Sequence, residues 1–359
     1  MDLDSFLVSL YVLVDDRWKA DHPSTAPRKP GRPARISESE VLTLAILAQW
    51  PRFRSEREFW RFASSHLRSY FPTLCSQSQL NRRVRALAPE LRLLQRALAE
   101  ELSELSELSE LSEPSAAYHV MDTTLIPAIV RVRASRKGLF AGQASFGRSA
   151  SKTEWVYGFK VALVVDSDGV LTAFGLAPAA SDERPIGEAL VSSDRYGAYL
   201  ADKGFTGVEW ERLVMERYGA LVAATPKNDS RRAWPKADRR WASGKRQIIE
   251  GVIGQLKDFF SLERHRAKTL GGLLTRVAAK VAAYTCAQRI NDSLGRPLRH
   301  LADLLSCSSL HISRLRGGRA TEQRVAGHGG TISLWKCFLC FTSVRLLRPA
   351  RMHCMIHRP

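Results

Sequence analysis

Apolar residues in the first hundred positions recur every three or four places. The stripes are Leu3, Phe6, Leu7 and Leu10; Val41, Leu42, Leu44, Ala45 and Leu47; Phe59, Trp60 and Phe62; and Val84, Leu87, Leu91, Leu94 and Leu98. That spacing predicts several short helices, with Ser37 or Ser39 placed to cap the second. Residues 101–114 instead repeat Glu-Leu-Ser, a period of three that drifts around a 3.6-residue helix and leaves no stable leucine stripe. They read as a low-complexity linker ended by Pro114. From residue 115 the pattern turns to strands alternating with helices. Strands are expected at Tyr118–Met121, Trp155–Val165, Val170–Leu176, Gly197–Ala201 and Leu221–Ala224. Helices are expected through Ile186–Val191, Val208–Tyr218 and Lys245–Phe260, and Asp166-Ser167-Asp168-Gly169 is a hairpin turn. The expected plan is therefore a small all-helical domain (1–100), the linker, and a mixed α/β domain (115–300). Periodicity fades after Leu305, so 301–359 reads as a poorly ordered or non-native extension.

Charge adds a partner to this plan. Among 359 residues, 54 Lys and Arg against 36 Asp and Glu give a net charge of +18. A chain this basic gains by displacing counterions from nucleic acid, and the cationic helices of 1–100 suit DNA contact. The basic stretch Arg28–Arg35 reads first as a stiff linker between helices. Its Gly31-Arg32-Pro33 core also resembles an AT-hook, which would set Arg32 in a minor groove. Six cysteines are too few for a disulfide scaffold, and Cys337-x-x-Cys340 lacks a second ligand pair for zinc. No apolar run approaches the roughly 20 residues of a membrane span. A cytoplasmic, nucleoid-associated protein is expected.

Two short apolar runs end on aspartates, Asp122 and Asp202, and Glu250 follows on a basic helix. Aspartates at the ends of adjacent strands converge at one sheet edge, and a helix across that edge can bring the glutamate. Such hard oxygen donors suit Mg²⁺ or Mn²⁺, two ions about 3.5–4 Å apart being able to activate an attacking oxygen and stabilise a leaving one. Arg246 and Lys257 share a helical face with Glu250 and would hold phosphates beside the metals. Lys203 could screen the carboxylates or touch phosphate, and Gly204 would permit a tight turn. Asp166 and Asp168 are assigned to the hairpin turn, and Asp182-Glu183 to a helix start. Trp234 and Trp241, near Arg231, Arg232, Arg239 and Arg240, could stack on bases, although plain packing is the simpler expectation.

Three stretches in this order resemble the catalytic domain of bacterial insertion-sequence transposases of the DDE class. Tyr118–Pro127 is similar to the first-strand motif with its Asp, and Tyr199–Gly207 to the Asp-Lys-Gly-(Tyr/Phe) motif. Arg246–Arg266 looks like the last helix, with Arg246, Glu250 and Lys257 at the family spacing. Ser243 stands where the family often has Tyr. The resemblance covers about half the chain and implies an RNase H-like fold, with catalysis by Asp122, Asp202 and Glu250. It also implies double-stranded DNA partners (terminal inverted repeats and target) and a homodimer in a synaptic complex. Two rival functions fit the same residues: a nuclease of this fold that only hydrolyses, and a non-catalytic DNA-binding remnant.

Overall fold

A computed structural model describes residues 1–23, 34–109, 118–129, 138–149, 153–194, 197–226 and 234–305. Arg32 with residues 28–33 of its AT-hook-like stretch, residues 110–114, Arg231, Arg232 and residues 306–359 of the extension, with its cysteines, lie outside the described residues; at the start of that expected extension Leu301, Leu304 and Leu305 are instead buried in the core. Five helices open the chain: α1 (Leu3–Asp21), α2 (Glu38–Leu47), α3 (Glu56–His66), α4 (Gln77–Ala86) and α5 (Ala88–Ser109). Their starts follow local chemistry. Ser37 accepts from the Glu40 N–H while the Glu40 carboxylate accepts from the Ser37 N–H, a reciprocal cap that Ser76 and Gln79 repeat on α4. Helix α5 runs straight through 101–109, where a linker was expected. Leu102 is buried there and Leu105 is 42% exposed, so the drift of the period-three leucines is real but does not stop the helix.

The sheet comprises β1 (His119–Pro127), β2 (Ser145–Ser149), β3 (Glu154–Val165), β4 (Leu171–Pro178), β5 (Ala198–Ala201) and β6 (Leu221–Ala224). Strand order is β2-β3-β1-β5-β6, with β4 also on β3. Strand β3 is antiparallel to β1 and β4, whereas β5 runs parallel to β1 and β6 parallel to β5. A three-stranded antiparallel meander extended by parallel strands is the expected RNase H-like mixed sheet behind a helical N-terminus. The β3–β4 turn is locked by Asp166, whose carboxylate accepts from the N–H groups of Asp168 and Val170 at 2.9 Å and from Ser103 Oγ at 3.0 Å.

Helices α6 (Glu183–Asp194) and α7 (Val208–Tyr218) cover one sheet face; α8 (Lys236–Asp258) and α9 (Leu270–Ser293) lie with the N-terminal helices on the other. Helix α9, buried on nearly all sides, packs along α5, and Phe259 and Phe260 meet Trp50 edge-on at 6.3 and 5.8 Å. The N-terminal helices and the sheet therefore share one hydrophobic core, and no separate core ends near residue 100 among the described residues. Among those residues no helix is long and apolar enough to cross a membrane.

Candidate active site

Strand alternation decides which side chains meet. On β1, Val120 belongs to the core beneath α8 and Met121 to the core beneath α6. Successive residues face opposite sides, so Asp122 points to the α8 face and Thr123 to the α6 face. On β5, Leu200 and Ala201 divide in the same way, and the extended backbone at Asp202 continues the alternation. Because Met121 pairs with Ala201 in parallel register, Asp122 and Asp202 leave adjacent strand positions on one face.

Above them α8 supplies a cation. Arg246 Nη1 donates to Asp202 Oδ1 at 3.0 Å, and its Nη2 lies 3.6 Å from Asp122 Oδ2. Asp122 Oδ1 also accepts from the Thr123 N–H at 2.7 Å. Burial pushes the Asp122 carboxyl up to about 6; Asp202 and Glu183 add to the rise, while the Thr123 N–H and Arg246 oppose it. The Arg246 Nε–H is buried and has no acceptor among the described residues.

Glu250 sits one turn beyond Arg246, exposed and with no ion pair or side-chain hydrogen bond among the described residues. Among those residues, no three His, Cys, Asp or Glu stand close enough to hold a metal ion. The structure thus brings Asp122 and Asp202 together but does not close the expected three-carboxylate cluster. Electrostatics accounts for this: two carboxylates that repel each other share one guanidinium, and a third gains little without a further cation. Lys257, expected at the exposed phosphate-facing side, is partly buried and pairs with Glu263 at 3.1 Å. Lys203 is exposed.

On the α6 side, Glu183 takes a part that its helix-start position does not suggest. Its Oε1 accepts from Thr123 Oγ1 at 2.7 Å and from Lys160 Nζ at 3.1 Å. Lys160 is 12% exposed in the otherwise apolar stretch Gly158–Val165, and a cation so placed calls for a carboxylate partner; that is the signal available in the sequence. Gly204 is explained here too. Its backbone is not left-handed, and a Cβ there would strike the Glu183 carboxylate. Asp166 and Asp168 stay in their turn, and Asp182 is occupied by Arg184. Trp241 departs from plain packing: it is 53% exposed, with its ring 6.1 Å from that of Tyr118.

Residues 114–270, which contain the whole of this arrangement, match a family model described as "Transposase DDE domain". The chain carries a transposase DDE domain. That stretch belongs to the DDE class of transposases, and both bridged aspartates lie within it. No curated protein matches the chain significantly. Two solved structures align with it: "Mos1 transposase paired-end complex with left transposon end", at 12% identity over 71% of this chain and 87% of that one, with a TM-score of 0.17; and "Crystal structure of the Mos1 mariner paired end complex with Mn", at 11% over 70% and 86%, with a TM-score of 0.18. Likeness at that level carries no weight beside the sheet order itself.

Proposed function

We propose that this DDE transposase is a metal-dependent polynucleotidyl transferase that cuts the DNA ends of its element and joins the 3′-hydroxyls to target DNA. The shared hold of Asp122 and Asp202 on Arg246 supports this best. Two oxygen-only side chains already grip one cation on one sheet face, and that donor chemistry suits Mg²⁺ or Mn²⁺. Asp122, Asp202 and Glu250 would hold the ions, Glu250 standing exposed on the same helix as Arg246. A bound divalent ion, of which we propose two, would supply Lewis acidity and an activated nucleophile.

The chain's own residues do the rest. Arg246 would turn from the carboxylates to a DNA phosphate, a move its unpartnered Nε–H favours, since a guanidinium can fork onto phosphate oxygens. Lys257 would exchange Glu263 for a neighbouring phosphate, and the exposed Lys203 would reach another. Glu183, held by Thr123 and Lys160, lies against Gly204 of the Asp202-Lys203-Gly204 turn. Partners on this reading are double-stranded DNA, namely the terminal repeats and a target, bound by a homodimer. A strand-transfer assay separates it from simple hydrolysis: pre-cut ends taken from the DNA that flanks the gene, offered with a target plasmid, should yield joined products. Nicked plasmid without joined product would support the hydrolytic alternative instead.

A further inference from the structure

A cleft of about 910 Å³ opens beside the active-site sheet, between the α2–α3 connection and the loop that follows α8. Its walls are cationic beyond anything the fold requires. Arg54, Arg57, Arg264, Arg266 and Lys268 line it, all exposed, and none of the five has an ion pair among the described residues. The one carboxylate in the lining, Glu56, is already engaged by Arg276 at 2.6 Å and by Asn81 at 2.9 Å.

Two buried groups in the same lining lack the partners their chemistry calls for. Lys280, 7% exposed, donates to the Phe260 carbonyl and has no carboxylate among the described residues; burial and Arg276 depress its ammonium to about 8. Trp50, 2% exposed, keeps an indole N–H with no acceptor among them. Surplus cations around unsatisfied donors mark a site for an acceptor-rich anion.

The loop is also held in place. His265 is buried, with Nε2 against the Pro127 carbonyl at 3.0 Å and Nδ1 accepting from the Ala267 N–H at 3.0 Å. Arg264 and Arg266 flank that anchor, so both guanidiniums are presented to solvent from a fixed backbone. Pro127 ends the strand that carries Asp122. Five residues of strand place the cleft about 17 Å beyond the aspartate, roughly five base-pair steps along a duplex.

We propose that this cleft grips the phosphate backbone of duplex DNA lying beyond the scissile position. The proposal rests on the polynucleotidyl-transfer function above and adds to it a second, sequence-independent grip outside the metal site. Phosphates would sit against Arg264, Arg266 and Lys268 on one wall and Arg54 and Arg57 on the other.

The test uses the full chain and a fluorescent 40-bp duplex of arbitrary sequence, titrated in EDTA at several salt concentrations so that binding is read without cleavage. The triple variant Arg264→Ala/Arg266→Ala/Lys268→Ala should flatten the log–log salt dependence by about 0.9 per lost contact, about 2.7 in all. A control with Arg212→Ala and Arg217→Ala, on the opposite sheet face, should keep the wild-type slope. Duplex should also shield Lys268 from acetylation in the wild type. An unchanged slope, or Lys268 equally reactive with and without duplex, overturns the proposal. Metal-dependent nicking measured on the same preparations tests the catalytic function separately: its absence with a flattened slope leaves the cleft standing, and its presence with an unchanged slope removes only the cleft.

Discussion

A Cβ on Gly204 would lie 1.6 Å from Oε2 of Glu183. The glycine of the Asp202-Lys203-Gly204 turn thus leaves room for a carboxylate that Thr123 and Lys160 hold from the other side. Gly204→Ala should displace that carboxylate, destabilise the protein by about 1–3 kcal/mol and lower cleavage. Adding Glu183→Ala removes the obstacle, so the double variant should be no less stable than Glu183→Ala alone. Denaturant unfolding of all four proteins checks this; strictly additive losses would show that Glu183 is not the reason for the glycine.

Asp166 is the opposite kind of aspartate, a buried residue with a structural task. Asp166→Ala strips the acceptor from two N–H groups and from Ser103 and should destabilise by about 2–4 kcal/mol. Cleavage per folded molecule should stay within about twofold of wild type. Loss of cleavage without loss of stability would place Asp166 in the chemistry.

Much of this arrangement is legible in the sequence because its causes are local. Asp202 follows a strand end, and the hairpin is a four-residue turn in which Gly169 has the left-handed backbone, φ +81°, that such a turn demands; Asp122 departs from the expectation, because β1 runs on past Met121 to Pro127 and holds the aspartate inside the strand. Glu183 is not legible in this way, because its bond to Thr123 spans sixty positions and α6 gives it an innocent place at a helix start. Gly204 reads as a turn residue for the same reason. Helix α9 escapes a periodicity reading because it is buried on nearly all sides and offers no one-sided stripe. Its polar residues face inward, Tyr284 and Gln288 both donating to the Gly169 carbonyl, at 3.1 and 3.0 Å.

Lys257 distinguishes a phosphate contact from a structural ion pair. If it exchanges Glu263 for phosphate on binding, Lys257→Ala should reduce the log–log salt slope of DNA binding by about 0.9. Stability should change by about 1 kcal/mol or less, as for other partly exposed pairs. A wild-type slope would confine Lys257 to its pairing with Glu263.

The partly buried carboxyl of Asp122 makes stability depend on pH. Its folded value, about 6, lies above the ordinary 3.8, so protonation stabilises the fold. That stabilisation is complete below about pH 3.8 and is lost as pH rises through 6. Asp122→Asn stays neutral throughout. In EDTA its stability relative to wild type should therefore grow between pH 3.8 and 6, reaching at most about 3 kcal/mol. A constant difference across that window would mean that Asp122 titrates normally.

On the proposed function, Asp122 and Asp202 together hold the metal that cleaves DNA. Nicking of a supercoiled plasmid tests this most directly, with the wild type, Asp122→Asn and Asp202→Asn compared in Mg²⁺, in Mn²⁺ and in EDTA. The wild type should nick with either ion and not in EDTA. Each variant should fall at least about a hundredfold while still binding DNA, because the cationic surface is untouched. Nicking by either variant within about tenfold of wild type, or wild-type nicking that survives EDTA, would contradict a metal site built on these two aspartates.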